Sequence, residues 1–259
     1  MEKREISRRE FLQQVLLFGL AATPWAQLGK VWAQASRPSD PQVIPTIAGQ
    51  PVTHVTHGPG FGRKLALTFD DGPWPGITDR ILAELATHEI PATFFMLGER
   101  VEAAPELARK VLAEGHEIGN HTFSHPKLSS LSLERVEREI GRCNEALAQH
   151  LNYRPRWFRP PYGALRKDQV SLVTSQGMGI VYWSVDTRDW SQPGVQAIQN
   201  VVLKDSVPGS IVLMHDLHRQ TAEALPKILE GLVARGFEFA TISGLVGSPT
   251  GAHPSPMNS

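Results

Sequence analysis

Between Lys64 and Ile242, short runs of apolar, β-prone residues alternate with longer stretches whose apolar positions recur every three or four residues. The short runs predict strands over Lys64 to Phe69, Pro91 to Leu97, His116 to Asn120, Trp157 to Arg159, Gly179 to Val185, Ser210 to Met214 and Phe237 to Ile242. The amphipathic stretches predict helices over Ile77 to His88, Ala104 to Glu114, Leu133 to His150, Leu165 to Gln176, Val195 to Asp205 and Thr221 to Arg235. Strand and helix in alternation imply parallel βα units. About seven strands without a second apolar core favour an α/β fold built as a single irregular or incomplete (β/α) barrel over a doubly wound open sheet. No internal repeat is visible.

The ends of the chain break this pattern. Ser7-Arg8-Arg9-Glu10-Phe11-Leu12 precedes an apolar run from Val15 to Ala22, and Ala33-Gln34-Ala35 supplies a small-x-small cleavage site. Residues 1–35 thus resemble a twin-arginine export signal, which implies the twin-arginine export machinery as a partner, a mature chain from Ser36, and a periplasmic or extracellular location in a bacterium. The apolar run is too short to span a bilayer and Pro24 follows it, so a membrane tether is expected only if the signal stays uncleaved. Residues 36–62 form a Pro-rich leader, residues 63–246 the predicted domain, and 247–259 a polar, Pro- and Ser-rich stretch predicted to be a disordered tail.

Composition narrows the function. The 259 residues are 41% hydrophobic, enough for one large domain with a normal core. The net charge of +0 divides into five Lys/Arg against three Asp/Glu in residues 1–35 and 21 against 23 in the remainder. No basic stripe of the kind that binds nucleic acid results. The single cysteine, Cys143, excludes an intramolecular disulfide and falls in a helical pattern as a buried residue.

In a βα barrel the residues just after each strand converge on one mouth, however distant in sequence. Those positions hold Asp70-Asp71-Gly72-Pro73, then His121 and His125 in His121-Thr122-Phe123-Ser124-His125, then Arg159-Pro160-Pro161-Tyr162-Gly163, Asp186-Thr187-Arg188-Asp189-Trp190 and Leu213-Met214-His215-Asp216. Asp-Asp-Gly alone reads as a solvated turn, and two histidines alone as a capped helix start. Together, one carboxylate and two imidazoles make the ligand set of an open catalytic metal site, fitted by Asp71, His121 and His125. Zn2+ suits these donors best, while Co2+, Ni2+ and Fe2+ are also accepted by a two-histidine, one-carboxylate face.

Thr68-Phe69-Asp70-Asp71-Gly72-Pro73, His121-Thr122-Phe123-Ser124-His125, Arg159-Pro160-Pro161-Tyr162, Asp186-Thr187-Arg188-Asp189-Trp190 and Leu213-Met214-His215 resemble, in order, the five motifs of the polysaccharide deacetylase family. These are the NodB-homology domains of carbohydrate esterase family four, and the resemblance runs from Lys64 to Ile242. It implies that Asp71, His121 and His125 hold a divalent metal and that Asp70 is the general base toward the attacking water. Arg159 is then the tether of Asp70, and the backbone N–H of Tyr162 stabilises the oxyanion. His215 resembles the general acid that protonates the leaving amine, with Asp189 as its orienting partner. Trp190 and Leu213 resemble apolar walls around the acetyl methyl.

The implied activity is metal-dependent removal of N-acetyl groups from an amino-sugar polymer or oligomer: peptidoglycan, chitin-type or exopolysaccharide. An O-acetyl xylan esterase of the same family, a catalytically dead carbohydrate-binding homologue and a metal-free amidohydrolase are the rivals. Trp74, Asp186, Asp216 and His218 receive no role from the sequence, His88 and His116 read as non-catalytic, and the oligomeric state stays open.

Overall fold

The computed structural model describes residues 54–247. The predicted export signal, most of the predicted leader and the predicted tail beyond Gly247 lie outside the described residues. Nine strands and eight α-helices occur among those described, in the order β1 (His54–Val55), β2 (Lys64–Asp70), α1 (Thr78–Thr87), β3 (Thr93–Met96), α2 (Gly98–Ala103), α3 (Pro105–Ala113), β4 (Glu117–Asn120), α4 (Leu133–Leu151), β5 (Trp157–Phe158), α5 (Lys167–Ser175), β6 (Gly179–Val181), β7 (Val185–Asp186), α6 (Val195–Asp205), β8 (Ile211–His215), α7 (Arg219–Ala234), β9 (Glu238–Phe239) and α8 (Ile242–Val246).

Every strand pairing is parallel, in the order β1-β6-β5-β4-β3-β2-β8-β7, with β9 paired to the start of β2. This is an incomplete (β/α) barrel. Its strand count exceeds the expected seven for two reasons. His54–Val55 lies inside the stretch read as leader, yet pairs with Ile180 and Val181 as β1. The single strand expected from Gly179 to Val185 is two, because the chain changes partners midway. Tyr182 N–H donates to the Val55 carbonyl on one edge, whereas Ser184 N–H donates to the Ile211 carbonyl in β8 on the other. Residues 182–184 thereby cross the gap where a complete barrel would close. Helices α2 and α8, of six and five residues, are additions to the expected list.

β2 shows why the core forms where it does. After Lys64 its six residues are all buried, as expected of a strand covered on both faces. Period-two alternation then sorts them. Leu65, Leu67 and Phe69 join the cluster shared with Ile81, Leu85, Leu225 and Ile228 on the surrounding helices. Ala66 faces inward with Phe95, Trp157, Val181 and Ile211. Thr68 and Asp70 share that inward parity, so Asp70 ends an interior row at the carboxyl end of β2. Cys143 is buried against the first cluster, and burial pushes its thiol up to about 12. It is an inert packing residue. Among the described residues, no helix is long and apolar enough to cross a membrane.

Candidate active site

Successive side chains of a strand point to opposite faces, so adjacent carboxylates would ordinarily part company. Asp71 breaks the alternation with a left-handed backbone, φ 77°, a conformation that aspartate tolerates better than most residues. Both carboxylates therefore reach the barrel mouth and meet different neighbours. Asp70 Oδ1 accepts a 2.7 Å hydrogen bond from Arg159 Nη1. Asp71 Oδ1 stands 3.4 Å from His121 Nε2 and 3.4 Å from His125 Nε2.

The two histidines are set by the turn after β4. Thr122 and His125 both adopt positive φ, 73° and 61°, and His125 N–H donates to Thr122 Oγ1 at 3.1 Å. Asn120 Oδ1 accepts from Thr122 N–H at 2.8 Å, while Asn120 Nδ2 donates to the Ile140 carbonyl and to Asn144 Oδ1 on α4. His121 Nδ1 lies 2.7 Å from the Arg159 carbonyl. That contact requires the proton on Nδ1 and leaves the Nε2 lone pair for a ligand, the arrangement usual in metal-bound histidine.

Asp71, His121 and His125 offer one donor atom each, all within 4.8 Å of one another. Asp71 Oδ1 is buried and has no hydrogen-bond partner. A buried, charged acceptor without a donor is costly, and a cation among these three atoms would satisfy it. The donor set fits a divalent metal of the zinc type. Burial opposes the charge on Asp71, but His121 above all, with His125 and His215, outweighs it and holds the carboxyl at about 2. The group is an anion at any physiological pH.

Arg159 is fully buried and uses its whole fork. Nη1 donates to Asp70 Oδ1 and, at 2.8 Å, to Thr68 Oγ1; Nη2 donates to the Tyr182 carbonyl at 2.9 Å and Nε to that of Val181 at 3.4 Å. Thr68 passes its own proton to the Val212 carbonyl at 2.6 Å. Asp70 is thus held as a paired carboxylate, aimed by a group that cannot give up its charge. Its Oδ2 lies 3.8 Å from His121 Nε2, beside the cation position.

On the β8 side, His215 Nδ1 lies 2.6 Å from Asp189 Oδ1. Asp189 Oδ2 accepts from the His215 backbone N–H at 2.7 Å and from Thr221 Oγ1 at 2.6 Å. Burial disfavours the imidazolium, but the Asp189 hydrogen bond and charge prevail and raise His215 to about 9. The same contacts hold Asp189 below the usual carboxylate range against its own burial. His215 is therefore a cation near neutrality, with Nε2 left to give a proton.

Tyr162 lies in a turn over Pro161–Gly163 at φ 59°, where the Gly163 and Ala164 N–H groups bond the Pro160 and Pro161 carbonyls. The Tyr162 N–H takes no part in these bonds. Its ring packs edge-on to His125 with 4.7 Å between centroids and is largely exposed. Trp190 is 57% exposed, whereas Leu213 is buried at 4%.

The sequence profile of the polysaccharide deacetylases matches residues 57–181. A curated peptidoglycan-N-acetylglucosamine deacetylase from Bacillus cereus is 41% identical over 192 residues, which cover 73% of this chain and 70% of that protein. The chain belongs to the polysaccharide deacetylase family. A chitooligosaccharide deacetylase from Rhizobium leguminosarum bv. trifolii is 42% identical over 194 residues, covering 70% of this chain and 90% of that protein. The solved structure of a CE4 family pseudoenzyme from Bacillus anthracis superposes with a TM-score of 0.74 at 29% identity, covering 78% of this chain and 72% of that one. Membership of the polysaccharide deacetylase family therefore fixes ancestry and fold, while the residues present decide chemistry.

The geometry brings the predicted Asp70, Asp71, His121, His125 and Arg159 into one cluster and pairs His215 with Asp189. Three supporting residues were not singled out from the sequence, Thr68, Asn120 and Thr221, and a fourth, Asp216, was given no role. Asp216 is fully buried, accepts from Thr78 Oγ1 at 2.6 Å, and has no partner at Oδ1. Burial raises its carboxyl to about 7. It packs against the Asp71-Gly72 turn so closely that a Cβ on Gly72 would fall 2.0 Å from Asp216 Oδ2. His116 Nδ1 accepts from the Ala92 N–H, and burial lowers the imidazole to about 4.

Proposed function

We propose that this protein is a metal-dependent hydrolase that removes N-acetyl groups from an amino-sugar polymer or oligomer, releasing acetate and a free amine. The observation that carries this is Asp71 Oδ1, a buried anion with no hydrogen-bond donor, facing two imidazole nitrogens at 3.4 Å. Asp71, His121 and His125 would hold the cation, with Zn2+ the best match to the donors. Such a cation supplies a water of lowered pKa and polarises the acetamide carbonyl.

The remaining steps fall to the chain. Asp70, paired with and aimed by Arg159, takes the proton of the attacking water. The Tyr162 N–H donates to the oxyanion as the carbonyl carbon becomes tetrahedral. His215 Nε2 gives its proton to the departing nitrogen, because an amine leaves poorly as an anion. Asp189 keeps that proton on His215 until it is needed. Trp190, exposed next to Asp189, and the buried Leu213 of β8 supply the apolar contact for the acetyl methyl. The carboxylates Asp70 and Asp71 thus divide the work of base and ligand.

The relatives named above act on peptidoglycan N-acetylglucosamine and on chitooligosaccharide, which supports an N-acetylated sugar as substrate. The sequence of residues 1–35 supports export before the enzyme meets such a glycan, to be checked by the amino terminus of the mature protein. Acetate release by the Zn2+-loaded enzyme from N-acetylchitooligosaccharide, peptidoglycan and acetylated xylan tests the activity. Release from an N-acetylated glycan is the expected result. Release from xylan alone would identify an esterase, and metal uptake without release from any of the three would leave a glycan-binding protein.

A further inference from the structure

The loop between His121 and His125 contains no regular secondary structure, yet three of its polar groups converge on one side chain of α4. Glu139 Oε2 accepts from the Ser124 N–H at 2.9 Å and from the Phe123 N–H at 3.2 Å. Glu139 Oε1 accepts from Ser124 Oγ at 3.0 Å. One turn further along the same helix, the Arg142 guanidinium lies 3.5 Å from the centre of the Phe123 ring. Phe123 and Ser124 are the residues immediately before His125, and both Thr122 and His125 sit in the left-handed region. A non-glycine backbone stays there only when its surroundings over-determine it.

We infer that Glu139 is a positioning residue for metal binding: its carboxylate pins the backbone that presents His125 beside Asp71 and His121. The inference rests on the metal-site reading above. The hydrogen bonds found for Glu139 go to Phe123 and Ser124, not to Asp71, His121 or His125, so it acts by preorganising the loop. Without it, the Phe123 and Ser124 N–H groups would turn to water, and His125 would have to be ordered by the metal itself. Outer partners of this kind are typically worth about 10- to 100-fold in metal affinity.

The test is competition of the metal-free full-length chain with a chromophoric chelator for Zn2+, run alongside thermal unfolding of the metal-free form. Glu139→Ala is expected to weaken Zn2+ affinity by about tenfold or more. Excess Zn2+ should then restore kcat with KM unchanged. Glu139→Gln should stay close to the parent, because its Oε1 can accept both N–H groups while its Nε2 donates to Ser124 Oγ. A Glu139→Ala variant that binds Zn2+ like the parent overturns the inference, as does a Gln variant that loses as much as Ala. A role in folding alone would lower the melting temperature and leave the affinity untouched. If Glu139→Ala does not fold, amide hydrogen exchange of the metal-free parent decides: Phe123 and Ser124 should be as protected as helical amides, and rapid exchange there refutes the anchor. A parent chain that takes up no Zn2+ would instead sink the metal-site reading.

Discussion

Replacing Asp189 by Asn should convert His215 from a cation into a neutral base across the working pH range. Asp189 is fully buried and accepts three hydrogen bonds, from His215 Nδ1, the His215 backbone N–H and Thr221 Oγ1. An Asn can supply only one oxygen to these donors, and its amide would face another N–H. His215 is raised from its ordinary value of 6.5 to about 9. At about 1.4 kcal/mol for each tenfold change in proton affinity, the difference is worth roughly 3 kcal/mol. Removing the carboxylate leaves burial acting downward against the smaller upward pull of the Asp70 and Asp71 charges, so the variant should titrate near the ordinary value. At pH 7.5 its protonated fraction then falls to about one tenth or less, with a matching loss in kcat/KM. The assay is the pH profile of acetate release: the parent's alkaline limb should fall near pH 9, and the variant's should move below about pH 7 with activity partly regained in mild acid. A variant whose limb stays at the parent's pH, or whose activity drops equally at every pH, would refute His215 as a proton donor tuned by Asp189. Stability follows the same sign. A raised histidine pKa stabilises the fold fully below pH 6.5, and that contribution fades as the pH rises through about 9. The parent should lose melting temperature across that window more than the Asn variant does.

Asp70→Asn should abolish acetate release while Zn2+ content, measured by elemental analysis, persists; His125→Ala should lose both, and full activity in either would overturn the assigned roles. Arg159→Met should destabilise the fold by about 3–5 kcal/mol in urea titration, because it strands the buried Asp70 carboxylate. Gly72→Ala should cost about 1–3 kcal/mol through its clash with Asp216, and much less in an Asp216→Ala background. Additive losses in that double-mutant cycle would exclude the clash as the cause.

How far the sequence carried depends on whether a feature is local. β2 was legible because one unbroken apolar run ends at a Gly-Pro breaker, and α6 was bounded correctly from Val195 to Asp205 by its periodicity and flanking Gly194. The split between β6 and β7 was not, since nothing in Gly179 to Val185 tells which neighbour each residue will bond. His54–Val55 is too short to carry a period at all. The same distinction applies at the mouth. Asp71, His121, His125, Arg159 and His215 could be read because each follows a strand in a recurrent motif. Thr68, Thr221 and Glu139 could not, because their roles arise from partners brought near only by folding, such as Arg159 across 91 positions and Asp189 across 32. Asp216 follows His215 directly, yet its function as a wall behind Gly72 is set by the missing Cβ of a residue far away in the chain.

The reach of Arg159 links chemistry to architecture. Its guanidinium joins Thr68 and Asp70 on β2 to the carbonyls of Val181 and Tyr182, at the point where the chain leaves one sheet edge for the other. The tether of the proposed general base is thereby also a staple across the barrel's open seam. Selection for catalysis and selection for a closed interior act on the same side chain. A descendant that abandoned hydrolysis could lose His125 or His215 at small cost to its fold, but the arginine would be retained long after the reaction had gone.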